Sequence, residues 1–417
     1  RKYPMENRIA DVNLAPAGMK KITWAWQFMP VLRTLSKDYV PKAPLHGLKL
    51  AACLHLEAKT ACLLITLHKL GAEVWAAGSN PLSTQDDVCA ALVEKGVHVF
   101  SHYGMSTKEY YDNLRSVLRI APDIIIDDGA DLVATLHTEF PQLISLVRGG
   151  SEETTTGVKR LKAMEEDGTL KFPMIAVNDA YSKYLFDNRY GTGQSVMDGL
   201  MRTTNMLIAG KRVVVAGYGW CGRGVAMRAQ SMGASVIVVE VDPHRAFEAL
   251  MDGHQVMNME EAASLGDIFL TLTGNTQVIR KEHFQHMKSG AILANAGHFD
   301  VEISKRDLSE MARSIESTRQ NIETYELHDG RFLHLLGEGR LVNLACADGH
   351  PIEIMDLSFA LQLESALHIS RISLPAGVHP VPEEIDRRVM EVKLASLGIS
   401  LEKLTEEQEL YMKSWEE

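Results

Sequence analysis

Short apolar runs alternate along most of this chain with stretches whose apolar positions recur every three or four residues, the pattern of strands separated by helices. Over 11–40 the spacing is helical and carries Trp24, Trp26, Phe28 and Met29, which read as core or lid packing. LKLAACLHL, AEVWAAG, VHVFSH and DIIIDDG then read as strands, with helices through Leu67, over 85–95 and over 108–119 between them. Such alternation predicts an open parallel sheet, and ligands of such sheets bind beyond the carboxyl ends of the strands. Those ends carry His55, Asn80 with 83–86, His102, and Asp127 with Asp128. SEETTTG, taken alone, reads as a solvated turn and N-cap. Downstream, Lys183 and Asp187 share a helix face, as an ordinary surface pair also would. Gly191 and Gly193 mark a hinge before a helix that leads to Gly210.

A second alternating series follows, with strands VVVA, SVIVVEVDP, GDIFLTLTG and GAILANAGHFD. The first runs into Gly217, Gly219 and Gly222, a G-x-G-x-x-G between a strand and a helix. Each glycine is expected to serve differently. Gly217 makes the turn, Gly219 lets backbone approach a pyrophosphate, and Gly222 lets helix and strand pack closely. Glu240 ends the next strand, where an acid binds the ribose hydroxyls of NAD and repels the 2′-phosphate of NADP. Arg223 and Arg245 do not replace it, so NAD is the expected cofactor. Asn295, Gly297 and His298 are expected to face its nicotinamide end. The stretch 302–321 reads as a polar linker, 352–369 as a long helix returning to the first domain, and 382–417 as a charged amphipathic tail. For that tail, solvated-helix and subunit-contact readings stand side by side.

At 417 residues the chain exceeds the roughly 250–300 at which single cores stop growing, so two domains and an accessory segment are expected. A net charge of −11 with no basic run argues against nucleic acid or an anionic membrane as partner. The five cysteines form no C-x-x-C pair, which predicts free thiols, no metal site and a reducing, cytoplasmic compartment. The start of the chain has no apolar signal region, and no apolar run reaches the about 18 residues that span a membrane.

The stretches STQDD, IIIDDGADL, SEETTTG, FDNRYG, VVVAGYG, NAGHFD and GEGRLVNLACADGHP together resemble the S-adenosylhomocysteine hydrolases over essentially the whole chain. The resemblance implies two doubly wound parallel-sheet α/β domains plus a small C-terminal extension. These are a substrate domain over 1–188 with 350–381, a Rossmann NAD domain over 189–349, and an oligomerisation extension over 382–417 of a homotetramer. It also implies a nucleoside thioether as substrate, cleaved with tightly held NAD by 3′-oxidation, β-elimination of homocysteine, water addition and re-reduction.

Carried over by residue, the resemblance implies that Lys183 and Asp187 serve the 3′-OH, with Lys183 a base of lowered pKa. Asp128 serves C4′, Glu153 the ribose hydroxyls, and His55 with His298 the 5′ side. Thr154, Thr155, Thr156, Asn188, Glu240, Asn275, Asn295 and Asn343 match NAD contacts, and His350 a histidine near the purine and the hinge. The purine segment departs from the family's H-x-T-x-E-T. In HLEAKT, Glu57 and Lys59 stand at the threonine and glutamate positions beside Thr60, so base contacts of opposite hydrogen-bonding sense are expected. The readings are hydrolysis of S-adenosyl-L-homocysteine, the same chemistry on S-inosyl-L-homocysteine, or an inactive NAD-binding regulatory homologue; a dehydrogenase releasing NADH is a further competitor. Thr192 replaces a cysteine common near the cofactor, Trp220 stands where an acid is common, and the chain ends at SWEE without the family's usual tail.

Overall fold

The computed structural model describes residues 7–415, so the first six residues and the last two of SWEE lie outside it. Six strands form the first half: β1 (Lys49–Leu54), β2 (Glu73–Gly78), β3 (His98–Phe100), β4 (Ile124–Asp127), β5 (Gly149–Glu152) and β6 (Pro173–Ala176). Eight follow: β7 (Arg212–Ala216), β8 (Ser235–Val239), β9 (Gln255–Val256), β10 (Ile268–Thr271), β11 (Ala291–Asn295), β12 (Ala312–Arg319), β13 (Ile322–Leu327) and β14 (Phe332–Leu336). The last strand, β15 (Gly377–Pro380), returns to the first sheet.

The two sheets run β3-β2-β1-β4-β5-β6-β15 and β9-β8-β7-β10-β11-β14-β13-β12. The first is parallel throughout, and the second is parallel as far as β14, with β13 and β12 added antiparallel. Both sheets reverse their strand order beside the first strand laid down, between β1 and β4 and between β7 and β10. These are the crevices where doubly wound sheets bind ligands. Strands such as Ile124–Asp127 and Ile268–Thr271 are buried at every position, as helices on both faces require.

Four stretches differ from the sequence expectation. β5, GGSE, and β15, GVHP, carry too few apolar residues for a periodicity to show. The supposed polar linker is a helix, Lys305–Met311, followed by β12, whose side chains are mostly exposed because it is the edge of its sheet. The supposed tail begins with a helix, Glu383–Ser396, that is part of the first core: Val389 is fully buried there. Asp386 on that helix accepts the Tyr181 and Ser182 N–H groups at 2.7 and 2.9 Å, capping the turn that carries Lys183. The later helix Glu406–Lys413 has no buried residue.

Candidate active site

A cavity of about 1230 Å³ joins the carboxyl ends of the two sheets. Its first wall is built at the β1/β4 crevice. His55, just after β1, lies 2.7 Å by Nδ1 from Ser83 Oγ and 3.4 Å by Nε2 from Asp128 Oδ2, just after β4. Burial lowers the His55 pKa, more than the Asp128 charge raises it, so the ring is neutral near pH 7. His298 arrives from the second sheet and places Nδ1 3.6 Å from Asp128 Oδ1. It fits only because residue 129 is glycine: a Cβ there would lie 2.2 Å from His298 Nε2, and φ is +107°.

Lys183 heads a π-helix, Tyr184–Gly191, whose wider turn brings residues five apart together. Lys183 Nζ therefore donates to Asn188 Oδ1 at 2.7 Å, and also to Asn178 Oδ1 at 3.1 Å, while lying 3.4 Å from Asp187 Oδ1. Asp187 further holds His350 Nε2 at 3.0 Å and the Ser358 hydroxyl at 2.7 Å. All of these groups are nearly fully buried, His350 somewhat less. Burial disfavours the Lys183 charge, yet the carboxylates of Asp187 and then Glu153 outweigh it and its pKa is raised, against the lowered value expected from sequence. Asp187 is conversely held well below the usual carboxylate range: burial opposes its charge, but Lys183, His350 and Ser358 all favour it. Glu153, donated to by Gln362 Nε2, is pushed up to about 8 by burial, so one negative charge rather than two faces the ammonium.

At the other end lies the glycine turn. Gly217 has φ +102°, a Cβ on Gly219 would meet open space, and a Cβ on Gly222 would lie 1.9 Å from the Gly217 carbonyl. Glu240 accepts N–H bonds from Tyr218, Val241 and Asp242, fixing its carboxylate at the cavity wall. Arg223 is engaged by Glu248 and stacks over Trp220, so it offers nothing to a 2′-phosphate. Asn343 Oδ1 is buried at the cavity with no partner among the described residues, which suits a ligand that brings its own donor. An acid, an open backbone approach and an orphaned acceptor together fit NAD. Gly222→Ala is expected to lower the thermal midpoint and strip cofactor, because the carbonyl it strikes belongs to the phosphate turn; unchanged retention of NAD after gel filtration would contradict this.

Two family models match the chain: S-adenosyl-L-homocysteine hydrolase over residues 6–140, and its NAD binding domain over 188–349. An adenosylhomocysteinase of Thermococcus kodakarensis is 61% identical over 98% of this chain and 97% of its own length. An S-inosyl-L-homocysteine hydrolase of Methanopyrus kandleri is 57% identical over 99% and 98%. Another, of Methanocaldococcus jannaschii, is 55% identical over 98% and 99%. This chain belongs to the S-adenosyl-L-homocysteine hydrolase family. As a member it is an enzyme, a hydrolase, and its cofactor is NAD.

His55, Asp128, Glu153, Lys183, Asp187, His298 and His350 line one cavity, as do Thr154, Thr155, Thr156, Asn188, Gly217, Gly219, Glu240, Asn275 and Asn343. Two expectations need correction. Asn295 does not face the cavity: its amide is spent on Thr271, Gly297 and Phe299, so it shapes the loop that presents His298. Glu57 lines the cavity but is committed as the N-cap of the helix Ala58–Lys69, accepting from the Lys59 and Thr60 N–H groups and from the Thr60 hydroxyl. His350 sits on Asp187, Thr192 and Ser195. Sequence reasoning gave Asn178 no role and missed Ser358 and Gln362. The last two lie four apart, on one face of the helix Ile352–Arg371, and that spacing was the available signal. His102 stands apart, near Glu109.

Among the described residues no helix is long and apolar enough to cross a membrane.

Proposed function

We propose that the chain catalyses reversible hydrolysis of a purine-nucleoside thioether of L-homocysteine, and that it prefers S-inosyl- to S-adenosyl-L-homocysteine. The observation that carries the chemistry is the single cavity that joins the Lys183–Asp187 cluster, the His55–Asp128–His298 group and the dinucleotide turn. When bound, NAD supplies a hydride acceptor that returns the hydride within the same turnover.

This chain's residues manage the protons. Lys183 takes the 3′-OH proton, and Asp187 with His350 forms the path by which the resting ammonium first gives one up. With C3′ at the ketone level, Asp128 removes the acidified C4′ proton; its long contacts to both histidines leave lone pairs free. His55 and His298 serve the side where the thiolate departs and water adds, and protonated Glu153, fixed by Gln362, donates to a ribose hydroxyl. Because Lys183 acts only after losing its proton, 3′-oxidation should accelerate as pH rises. Asp187→Asn removes the main charge that raises the Lys183 pKa, so the rising limb should move to lower pH. Rapid-mixing measurement of cofactor reduction against pH checks this, and an unmoved limb would count against Lys183 as the base.

The base preference rests on Lys59. Its ammonium is held by Glu57 Oε2 and the Asp348 carbonyl, both at 2.7 Å, and faces the cavity as a pure donor. Thiol release from the two thioethers by NAD-loaded protein tests the whole reading: release from neither, with NAD bound, would favour a regulatory homologue. We further infer a cytoplasmic homotetramer. Support comes from five free cysteines and from the apolar side chains Leu401, Leu404, Leu410, Met412 and Trp415, all exposed on the single chain.

A further inference from the structure

Glu152, in the SEETTTG stretch, has no role in the chemistry above, yet it is fully buried directly behind it. It ends β5, in register with Asp127 at the end of β4. Strand alternation turns Ser151 and Glu153 towards Gln362 and sends Glu152 to the opposite face. There a single oxygen, Oε1, accepts the Gly129 N–H at 2.6 Å and the Thr154 N–H at 3.3 Å. The first belongs to the turn that carries Asp128 and against which His298 packs; the second opens the run Thr154–Thr156 on the cofactor side. Room for that oxygen exists because residue 157 is glycine: a Cβ there would lie 1.9 Å from it.

The other oxygen, Oε2, has no hydrogen-bond partner among the described residues. The charged groups facing Glu152 are Asp127 at the end of β4, Asp128 just after it, and Arg160 on the helix Thr155–Glu166, which is itself spent on Asp131 and the Gly129 carbonyl. An ionised carboxylate that is fully buried beside other carboxylates, with one oxygen receiving no donor from the described residues, is strongly disfavoured, so the acid is neutral. Burial and then Asp127 indeed hold its pKa well above the usual range. A neutral carboxyl still accepts at its carbonyl oxygen, where both N–H bonds converge.

We propose that Glu152 is a positioning residue that works as a neutral acid, one oxygen tying the Asp128–Gly129 turn to the start of the Thr154–Thr156 run. This rests on the functional reading above.

The test uses NAD-loaded, full-length protein carrying Glu152→Gln, Glu152→Asp or Glu152→Ala. It reads kcat and KM for thioether hydrolysis, NAD retained per chain after gel filtration, and thermal midpoint. Glutamine reproduces a neutral acceptor and should keep kcat within about threefold of the parent, whereas alanine should lower kcat about 10²-fold and shed NAD, since misplacement by about 1 Å costs that much. Aspartate, one methylene shorter, should resemble alanine. A glutamine variant as impaired as alanine would overturn the neutral-acid role, and an alanine variant with a lowered midpoint but unchanged kcat and NAD retention would overturn positioning. Should the parent release no thiol, the functional reading fails, while NAD retention in glutamine against alanine still decides whether Glu152 ties the two loops.

Discussion

Replacing Lys183 with methionine is expected to slow substrate-dependent reduction of the bound cofactor by about 10³-fold, within the usual range for loss of a positioned acid–base group. The charge balance of the site explains why so much depends on one side chain. Asp127, Asp128, Glu152, Glu153 and Asp187 are all nearly fully buried, and Lys183 is the ammonium set among them. Uptake of protons removes most of the repulsion: burial raises Asp127 to about 7 and Glu153 to about 8. Asp187 alone is driven the other way and stays ionised, held by Lys183 and His350. Methionine keeps the length of the lysine stem but leaves Asp187 charged beside a thioether. Breaking a buried pair in this way costs about 3–5 kcal/mol, because the Asp187 carboxylate is left without its ammonium. The variant should therefore also unfold at a lower temperature than the parent. Rapid mixing with substrate and thermal unfolding give the two readouts. Undiminished cofactor reduction would remove Lys183 from the chemistry.

Both sheets were legible where strands buried on two faces are also apolar throughout, because VVVA or DIIID can hardly be anything else. Legibility failed where tertiary context does the work. β5 is a strand because β4 and β6 flank it, not because GGSE prefers to be extended, and that single miss hid the opposed roles of Glu152 and Glu153. The pairing of Lys183 with Asp187 followed from helical spacing, whereas its stronger bond to Asn188 needs a π-helical turn that no periodicity announces. Likewise, the Lys183 pKa shift cannot be read from one segment: burial opposes Asp187, and Glu153, which follows β5, adds to the raise. The family resemblance named most cavity residues, but it could not tell a residue that faces the ligand from one that shapes a loop, as Asn295 shows.

The exchange Glu57→Thr with Lys59→Glu is expected to reverse the base preference, changing the ratio of kcat/KM values for the inosyl and adenosyl thioethers by about 10²- to 10³-fold. Glu57 and Lys59 divide the work unevenly. The Glu57 carboxylate already receives four hydrogens, from the Lys59 and Thr60 N–H groups, the Thr60 hydroxyl and the Lys59 ammonium, so its lone pairs are occupied. The ammonium, by contrast, donates to Glu57 and to the Asp348 carbonyl and has a third N–H for a ligand. Opposite that donor, the six-position oxygen of hypoxanthine accepts, whereas the six-amino group of adenine presents another donor. A buried donor left unpaired costs about 2 kcal/mol, or roughly thirtyfold. In the double variant, threonine at 57 retains an oxygen to cap the helix Ala58–Lys69, and glutamate at 59 offers the adenine amino group an acceptor. The same mismatch then falls on hypoxanthine, so the two thirtyfold terms multiply. The Asp348 carbonyl also loses its donor, which frees the loop bearing His350 and should cost both substrates alike in kcat. A variant slowed equally on both thioethers, with their ratio unchanged, would mean that the purine is recognised elsewhere in the cavity.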